Sequence, residues 1–152
     1  MNRVELAAEG VDLPPWAPEL ERFALKVLEA LGRDGWDLSI ALCDDGTMKE
    51  LNGRYRGKDE STDVLSFELG ESMVDEEAGE RYLAGDIIIS LDTLPVNAAY
   101  FDVSQDEELR RLVVHGILHL DGMDHETNAA SEPMLSFQEK IISELSGERI
   151  LK

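Results

Sequence analysis

With 152 residues and 43% hydrophobic side chains, the chain is long enough for one domain with a substantial core and too apolar for a disordered one. No apolar run approaches the ~20 residues of a membrane span, the first residues lack the apolar stretch of a secretory leader, and the lone Cys43 excludes an internal disulfide; the expected location is the cytoplasm. A net charge of −19 excludes broad, non-specific nucleic-acid binding, but screening confines charge effects to ~8–10 Å and leaves room for a local basic cleft.

Val4, Leu6 and Ala8 alternate with polar neighbours and predict a first strand. Residues 15–31 carry Trp16, Leu20, Phe23, Ala24, Val27, Leu28 and Leu31 at helical spacing and stop at Gly32. Trp36, Leu38, Ile40 and Leu42 alternate as a second strand, and the helix between the two strands permits a parallel crossover. Cys43, at the end of that alternation, reads as a small buried side chain. Asp44 and Asp45 are candidate caps for a short helix through Met48, Leu51 and Tyr55. Residues 57–62 read as a loop and 63–69 as a strand. Residues 70–81, rich in Asp and Glu, read as an exposed hairpin connection, and 83–90 as a buried strand. A helix is predicted over 91–101, with Pro95 tolerated in its first turn. Ser104 is the expected N-cap of the next helix, with Asp106 and Glu107 in its first turn and Leu109, Leu112 and Val113 on its apolar side. Ser131 is expected to cap a last helix that starts with Glu132 and Pro133 and runs through Leu135, Ile141, Ile142 and Leu145. The element order is βαβαββααα. The expected architecture is α+β: a single domain over 1–152, with a mixed four-stranded sheet packed by about five helices.

Two clusters carry candidate chemistry. Arg54, Arg56 and Lys58 are the densest basic group in an otherwise acidic chain. They form either an anion or phosphate site or a solvated loop in which Arg56 pairs with Asp59 or Asp63; an arginine can do both. The second cluster is the run His115-Gly-Ile-Leu-His119-Leu-Asp-Gly-Met-Asp-His125, which holds all three histidines of the protein. On a helix continuing to Leu120, His115 and His119 lie one turn apart on one face, with ~6 Å of rise between them. Gly122 has the place and chemistry of a helix stop, after which the chain can return His125 as a third ligand. A single helical histidine is ordinarily a surface or satisfied core residue, but the triplet with its glycine is far more specific. Three neutral imidazoles suit Zn2+ at ~2.0–2.1 Å, and also accept other first-row ions. Three protein ligands leave a fourth position for water, the pattern of catalytic sites; a fourth side chain would mark a structural metal. Asp121 and Asp124 are candidate acceptors for imidazole N–H groups, or simply face water.

The histidine spacing is that of the metzincin metalloproteases, so the helix is metzincin-like. Those enzymes place a general-base glutamate after the first histidine, where this chain has Gly116. The same run resembles the signature of the YbeY-type endoribonucleases, His-Gly-x-Leu-His-Leu-x-Gly-Tyr-Asp-His, with Met123 in place of the tyrosine. The resemblance extends to Asn52, Tyr55, Arg56, Asp59 and the run from Thr62 to Phe67, with Ser61 where the family has proline, and to Gly85-Asp86-Ile87. It implies a metal-dependent, single-strand-specific endoribonuclease for small-subunit rRNA 3′-end maturation and ribosome quality control. Its metal would sit on His115, His119 and His125, and the functionally important arginine would be Arg56. Implied partners are single-stranded RNA or rRNA and the ribosome or small-subunit proteins, with no membrane; the oligomeric state is not implied. The alternatives are a metalloprotease-like hydrolase and a non-catalytic ribosome assembly factor with a structural metal. Neither attacking group, water or the neighbouring 2′-hydroxyl, is selected, and no residue stands out as the general base.

Overall fold

The computed structural model describes residues 1–151. Its elements are β1 (Arg3–Glu9), α1 (Ala17–Ala30), β2 (Trp36–Cys43), α2 (Asp45–Arg56), β3 (Val64–Asp75), β4 (Gly79–Ser90), α3 (Thr93–Tyr100), α4 (Gln105–Leu120) and α5 (Pro133–Glu144). They form an α+β domain around one mixed sheet of order β1-β2-β4-β3. β1 pairs with β2 and β2 with β4 in parallel, while β3 and β4 form an antiparallel hairpin. β3 is therefore an edge strand.

The period-2 pattern of β2 sorts its side chains between two unequal cores. Leu38, Ile40 and Leu42 join Ile87 and Ile89 of β4 beneath α1, α4 and α5, in the main core with Leu20, Phe23, Val27, Leu109, Val113 and Ile117. On the opposite face Cys43 meets Met48 and Leu65, with Leu51, Phe67 and Ile88 partly buried around them. That second face is packed by α2 and is the thinner one.

Local chemistry explains the element ends. Asp44 caps α2 by accepting from Thr47 N at 2.8 Å. Asp45, the other candidate cap, instead accepts from the hydroxyls of Ser90, Thr93 and Ser61 at 2.6, 2.7 and 3.0 Å, bonds that hold its carboxyl below the usual range. Ser61 thus ties down the loop at the position where the family carries proline. Residues 70–81 depart from the expected connection: the strands extend to Asp75 and from Gly79, leaving only a tight turn between them. This ribbon projects with most side chains exposed, so neither face carries an apolar alternation to read. Gly85, at φ +139°, lies where an added Cβ would sit 2.0 Å from the Phe67 carbonyl oxygen, beside the register shift of the β3–β4 pair. At α5 the N-cap is Glu132 rather than Ser131, and no side chain caps it; Pro133, which has no N–H to satisfy, opens the helix.

Candidate metal centre

α4 begins as expected: the Ser104 hydroxyl accepts from Glu107 N at 3.0 Å, and Asp106, Glu107 and Glu108 complement the positive end of the helix. Asp106 is itself buried, accepts from Ile150 N and Leu151 N at 2.7 and 2.8 Å, and pairs with Arg110 at 2.9 Å, which pins the tail of the chain to this helix start. At the other end Gly122 takes φ +88°. Its N–H donates to His119 O and that of Met123 to Leu118 O, both at 3.0 Å, which closes the helix in a Schellman motif and reverses the chain.

The reversal brings the three histidines together. One ring nitrogen from each falls within 4.8 Å of the others, and the Nε2 atoms of His115 and His119 are 3.0 Å apart. The opposite nitrogens are all engaged. His115 Nδ1–H donates to Gln138 Oε1 at 2.7 Å, His119 Nδ1–H to Met123 O at 3.1 Å, and His125 Nδ1–H to Thr127 O at 2.8 Å. A carbonyl only accepts, so each Nδ1 carries a proton, and in the neutral ring Nε2 then keeps its lone pair. Gln138 is oriented as this requires, because its amide N–H donates to Glu139 Oε2 at 3.3 Å. Two unprotonated nitrogens 3.0 Å apart repel each other unless a cation lies between them. The spacing is close to the ~3.3 Å expected of ligands at tetrahedral Zn–N bond lengths, so the donor set fits a borderline-soft divalent ion. Burial lowers the pKa of His115 and His119, and the neighbouring imidazoles add to the effect at both, so both rings are kept in their ligating, neutral form. Among the described residues this group consists of the three histidines, with no fourth side chain.

Asp121 and Asp124 do not serve as imidazole acceptors. Asp121 pairs with Arg33 at 2.8 Å, and Asp124 Oδ1 accepts from His125 N at 2.8 Å. The residue the sequence reading missed is Gln138, which is buried and 23 positions beyond His115. α5 is clamped to α4 by the two-pronged pair Arg111–Glu139, at 2.9 and 2.8 Å, and Glu139 in turn orients Gln138. A polar pair of Gln and Glu within the otherwise apolar repeat of α5 was the one available signal. Glu108, two turns before His115, was also passed over. It is buried, and desolvation, with Asp63 adding, pushes its carboxyl up to about 7. Gly116, at the site of the metzincin glutamate, faces the sheet: an added Cβ would lie 2.9 Å from Ile87 Cγ2. A glutamate there would start into the core rather than into the groove.

The groove itself has a volume of about 660 Å³. His115, His119, Met123 and Asp124 line one wall, and Tyr55, Arg56, Ser66 and Phe67 the other. Arg56 pairs with neither Asp59 nor Asp63 among the described residues. Its Nη2 donates to Ser66 O at 2.7 Å, and its guanidinium lies 5.4 Å from the Phe67 ring centroid. Lys49 approaches Asp59 at 3.9 Å, and Asn97 donates to Asp63 at 3.2 Å. The Arg56 charge reaches the histidine wall, where it adds to the burial that lowers His119. Arg54 pairs with Glu50 at 2.8 Å on the exposed side of α2. Both arginines occupy the last turn of α2, where cations also suit the negative end of the helix.

A family model described as Endoribonuclease YbeY matches residues 12–146. Endoribonuclease YbeY of Treponema denticola is 46% identical over 144 residues, covering 93% of this chain and 93% of the relative. The protein of the same name from Treponema pallidum is 43% identical over 144 residues, covering 95% and 90%. Among solved structures, the solution structure of TM1509 from Thermotoga maritima is 32% identical, with a TM-score of 0.59, covering 95% of this chain and 90% of that one. With a family match over most of its length and relatives of this similarity, the chain belongs to the endoribonuclease YbeY family.

Proposed function

We propose that the protein is a metal-dependent endoribonuclease that cleaves single-stranded RNA, with one Zn2+ held by His115, His119 and His125. The observation that carries this reading is the pairing of three converging imidazole lone pairs with a guanidinium across one groove, in a chain of this family. When bound, the ion supplies Lewis-acid polarisation of a phosphoryl oxygen. The chain's own residues account for the rest. Met123 O, Thr127 O and Gln138 Oε1 hold the three rings by their N–H groups, which fixes both tautomer and direction. Arg56 presents a planar, always-charged fork to the scissile phosphate and stabilises the charge that develops on its oxygens. Its bond to Ser66 O and its place against Phe67 orient that fork towards the groove. An open groove that carries Arg56 suits a flexible single strand whose backbone bends into it, and the acidic remainder of the surface rejects other nucleic acid.

On this reading the substrate is rRNA, at the 3′ end of the small-subunit molecule, and the partners are the ribosome or small-subunit proteins, in ribosome quality control in the cytoplasm. No helix among the described residues is long and apolar enough to cross a membrane. The test is incubation with single-stranded RNA, duplex RNA and casein, each with and without a chelator. Chelator-sensitive cleavage of the single strand alone is expected. Casein cleavage, or RNA cleavage indifferent to a chelator at which elemental analysis finds the metal removed, would overturn the reading.

A further inference from the structure

A second cavity, of about 350 Å³, lies on the thin face of the sheet and shares two residues with the metal groove: Tyr55 and Phe67 line both. Its floor is apolar, made of Ala41, Cys43, Leu51 and Ile88. Its rim carries two carboxylates, Glu9 and Asp86. We infer that this cavity is the nucleobase subsite of the nuclease: it takes the base next to the scissile phosphate, stacked on Tyr55, and reads an exocyclic amine with Asp86. The inference rests on the nuclease reading above and adds to it what the enzyme recognises.

Three features point the same way. Tyr55 is 60% exposed, although its neighbour Phe67 meets it edge-on at 5.5 Å and 67°. A large aromatic left open beside Arg56 is a stacking platform of the kind single-strand binders use, and every base has a face to offer it. The Arg54 guanidinium lies 5.9 Å from the Tyr55 centroid, a cation–π distance, so a positive charge sits beside the ring. The two cavities differ in charge. Arg56, His115 and His119 line the groove together with Glu68 and Asp124, while the second cavity has no cation and offers only two carboxylates around an apolar floor. Phosphate is repelled there, but a flat heterocycle with N–H donors is not. The Ser39 hydroxyl donates to Asp86 Oδ1 and steadies the carboxylate, leaving Oδ2 to accept from a ligand. Ionised carboxylates only accept, so the rim selects bases with an exocyclic amine (cytosine, adenine or guanine) over uracil. The volume falls within the ~300–1,000 Å³ of small-molecule pockets. A base in a duplex is already stacked and paired, so this subsite also accounts for a preference for single strands.

The test is binding of short labelled RNAs by fluorescence anisotropy, which is independent of cleavage, followed by cleavage of the same RNAs. Wild type should bind an oligo-C or oligo-A strand at least several-fold more tightly than oligo-U. Tyr55→Ala should weaken binding about tenfold or more, whereas Tyr55→Phe should keep it. Asp86→Asn should narrow the gap between oligo-C and oligo-U. Filling the cavity with Ala41→Phe should weaken binding as Tyr55→Ala does. Should that variant misfold, a single abasic nucleotide placed next to the cleaved bond tests the same point with wild-type protein, and should cut affinity and cleavage by a similar factor. Equal binding of oligo-C and oligo-U together with indifference to the abasic residue would overturn the subsite, even if the RNA is cleaved. Base-selective binding without cleavage would instead overturn the nuclease reading and leave the subsite standing. No binding to any single strand would overturn both.

Discussion

On the α4 wall of the groove each imidazole already has an acceptor for its N–H, and the helix that carries two of the three is capped, clamped to α5 and buried in the main core. On the α2–β3 wall Arg56 is exposed and holds one carbonyl, Tyr55 stands open, and the sheet face behind them is covered by a small cluster. The first wall is preorganised: its ligands converge at little cost in side-chain entropy. The second is an exposed surface with few fixed contacts, which on the proposed reading orders against a phosphate and a base. A site that must grip a compact ion and admit a flexible strand gains from having one wall of each kind.

The largest expected effect comes from removing a ligand on the rigid wall. His119→Ala should abolish metal binding and reduce RNA cleavage to background; near-stoichiometric metal in that variant, by elemental analysis, would mean that the histidines are not the site. On the exposed wall, Arg56→Ala should lower cleavage by at least ~10²-fold, the scale for one lost electrostatic stabiliser, with metal content and melting temperature close to wild type. Arg56→Lys should recover little if the phosphate is held by both prongs of the guanidinium; full activity in the lysine variant would rule out two-pronged recognition. Arg54→Ala and Lys58→Ala should act more mildly, weakening RNA binding and flattening its salt dependence. If Arg54→Ala proved as damaging as Arg56→Ala, the wall would be a diffuse basic patch rather than a positioned group.

Gln138→Leu probes whether the first wall is preorganised at all. With the His115 N–H left without its acceptor, metal affinity should fall about 10- to 100-fold, while Arg56 and RNA affinity are untouched. A competitive chelator titration reads this directly, and an unchanged metal affinity would make Gln138 mere packing. The smallest effect concerns Glu108, whose carboxyl is pushed up to about 7 in the fold. A carboxyl with a raised pKa keeps its proton in the fold at pH values where the unfolded chain has lost it. Its contribution to stability is therefore full below about 4.5 and is lost as pH rises through 7. Glu108→Gln should gain on wild type by ~1–3 kcal/mol between pH 5 and 8, and little below 4.5. Parallel melting curves of the two proteins across that range would show that the carboxyl ionises freely.

Much of the rigid wall is written locally. The apolar repeat of α4, the Ser104 cap and the stop at Gly122 all act within a few residues, so His115 and His119 could be placed on one face and the chain reversal towards His125 read from spacing alone. The alternation in β2 likewise fixed which side chains face the main core. Where the signal depended on partners distant in the chain, the reading failed. Asp121 and Asp124, close in sequence, were candidates either for imidazole acceptors or for water-facing groups, and they are not the acceptors: two of those are backbone carbonyls, at Met123 and Thr127, which no residue type announces. The third is Gln138, brought over by the docking of α5. The exposed hairpin over 70–81 was legible, but not how far its strands run, because a ribbon with most side chains solvated has no reason to alternate.

The choice of Arg56 came from the family resemblance; the sequence by itself determined the helices, the order of elements and the run that holds the three histidines. Those follow from periodicities and caps that operate over one or two turns. Only the tertiary structure decided that α2 and β3 face α4 across a groove, that each imidazole has its own acceptor, and that Tyr55 and Phe67 stand between two cavities. Those depend on how the sheet and α5 pack, and packing is a property of many distant side chains at once.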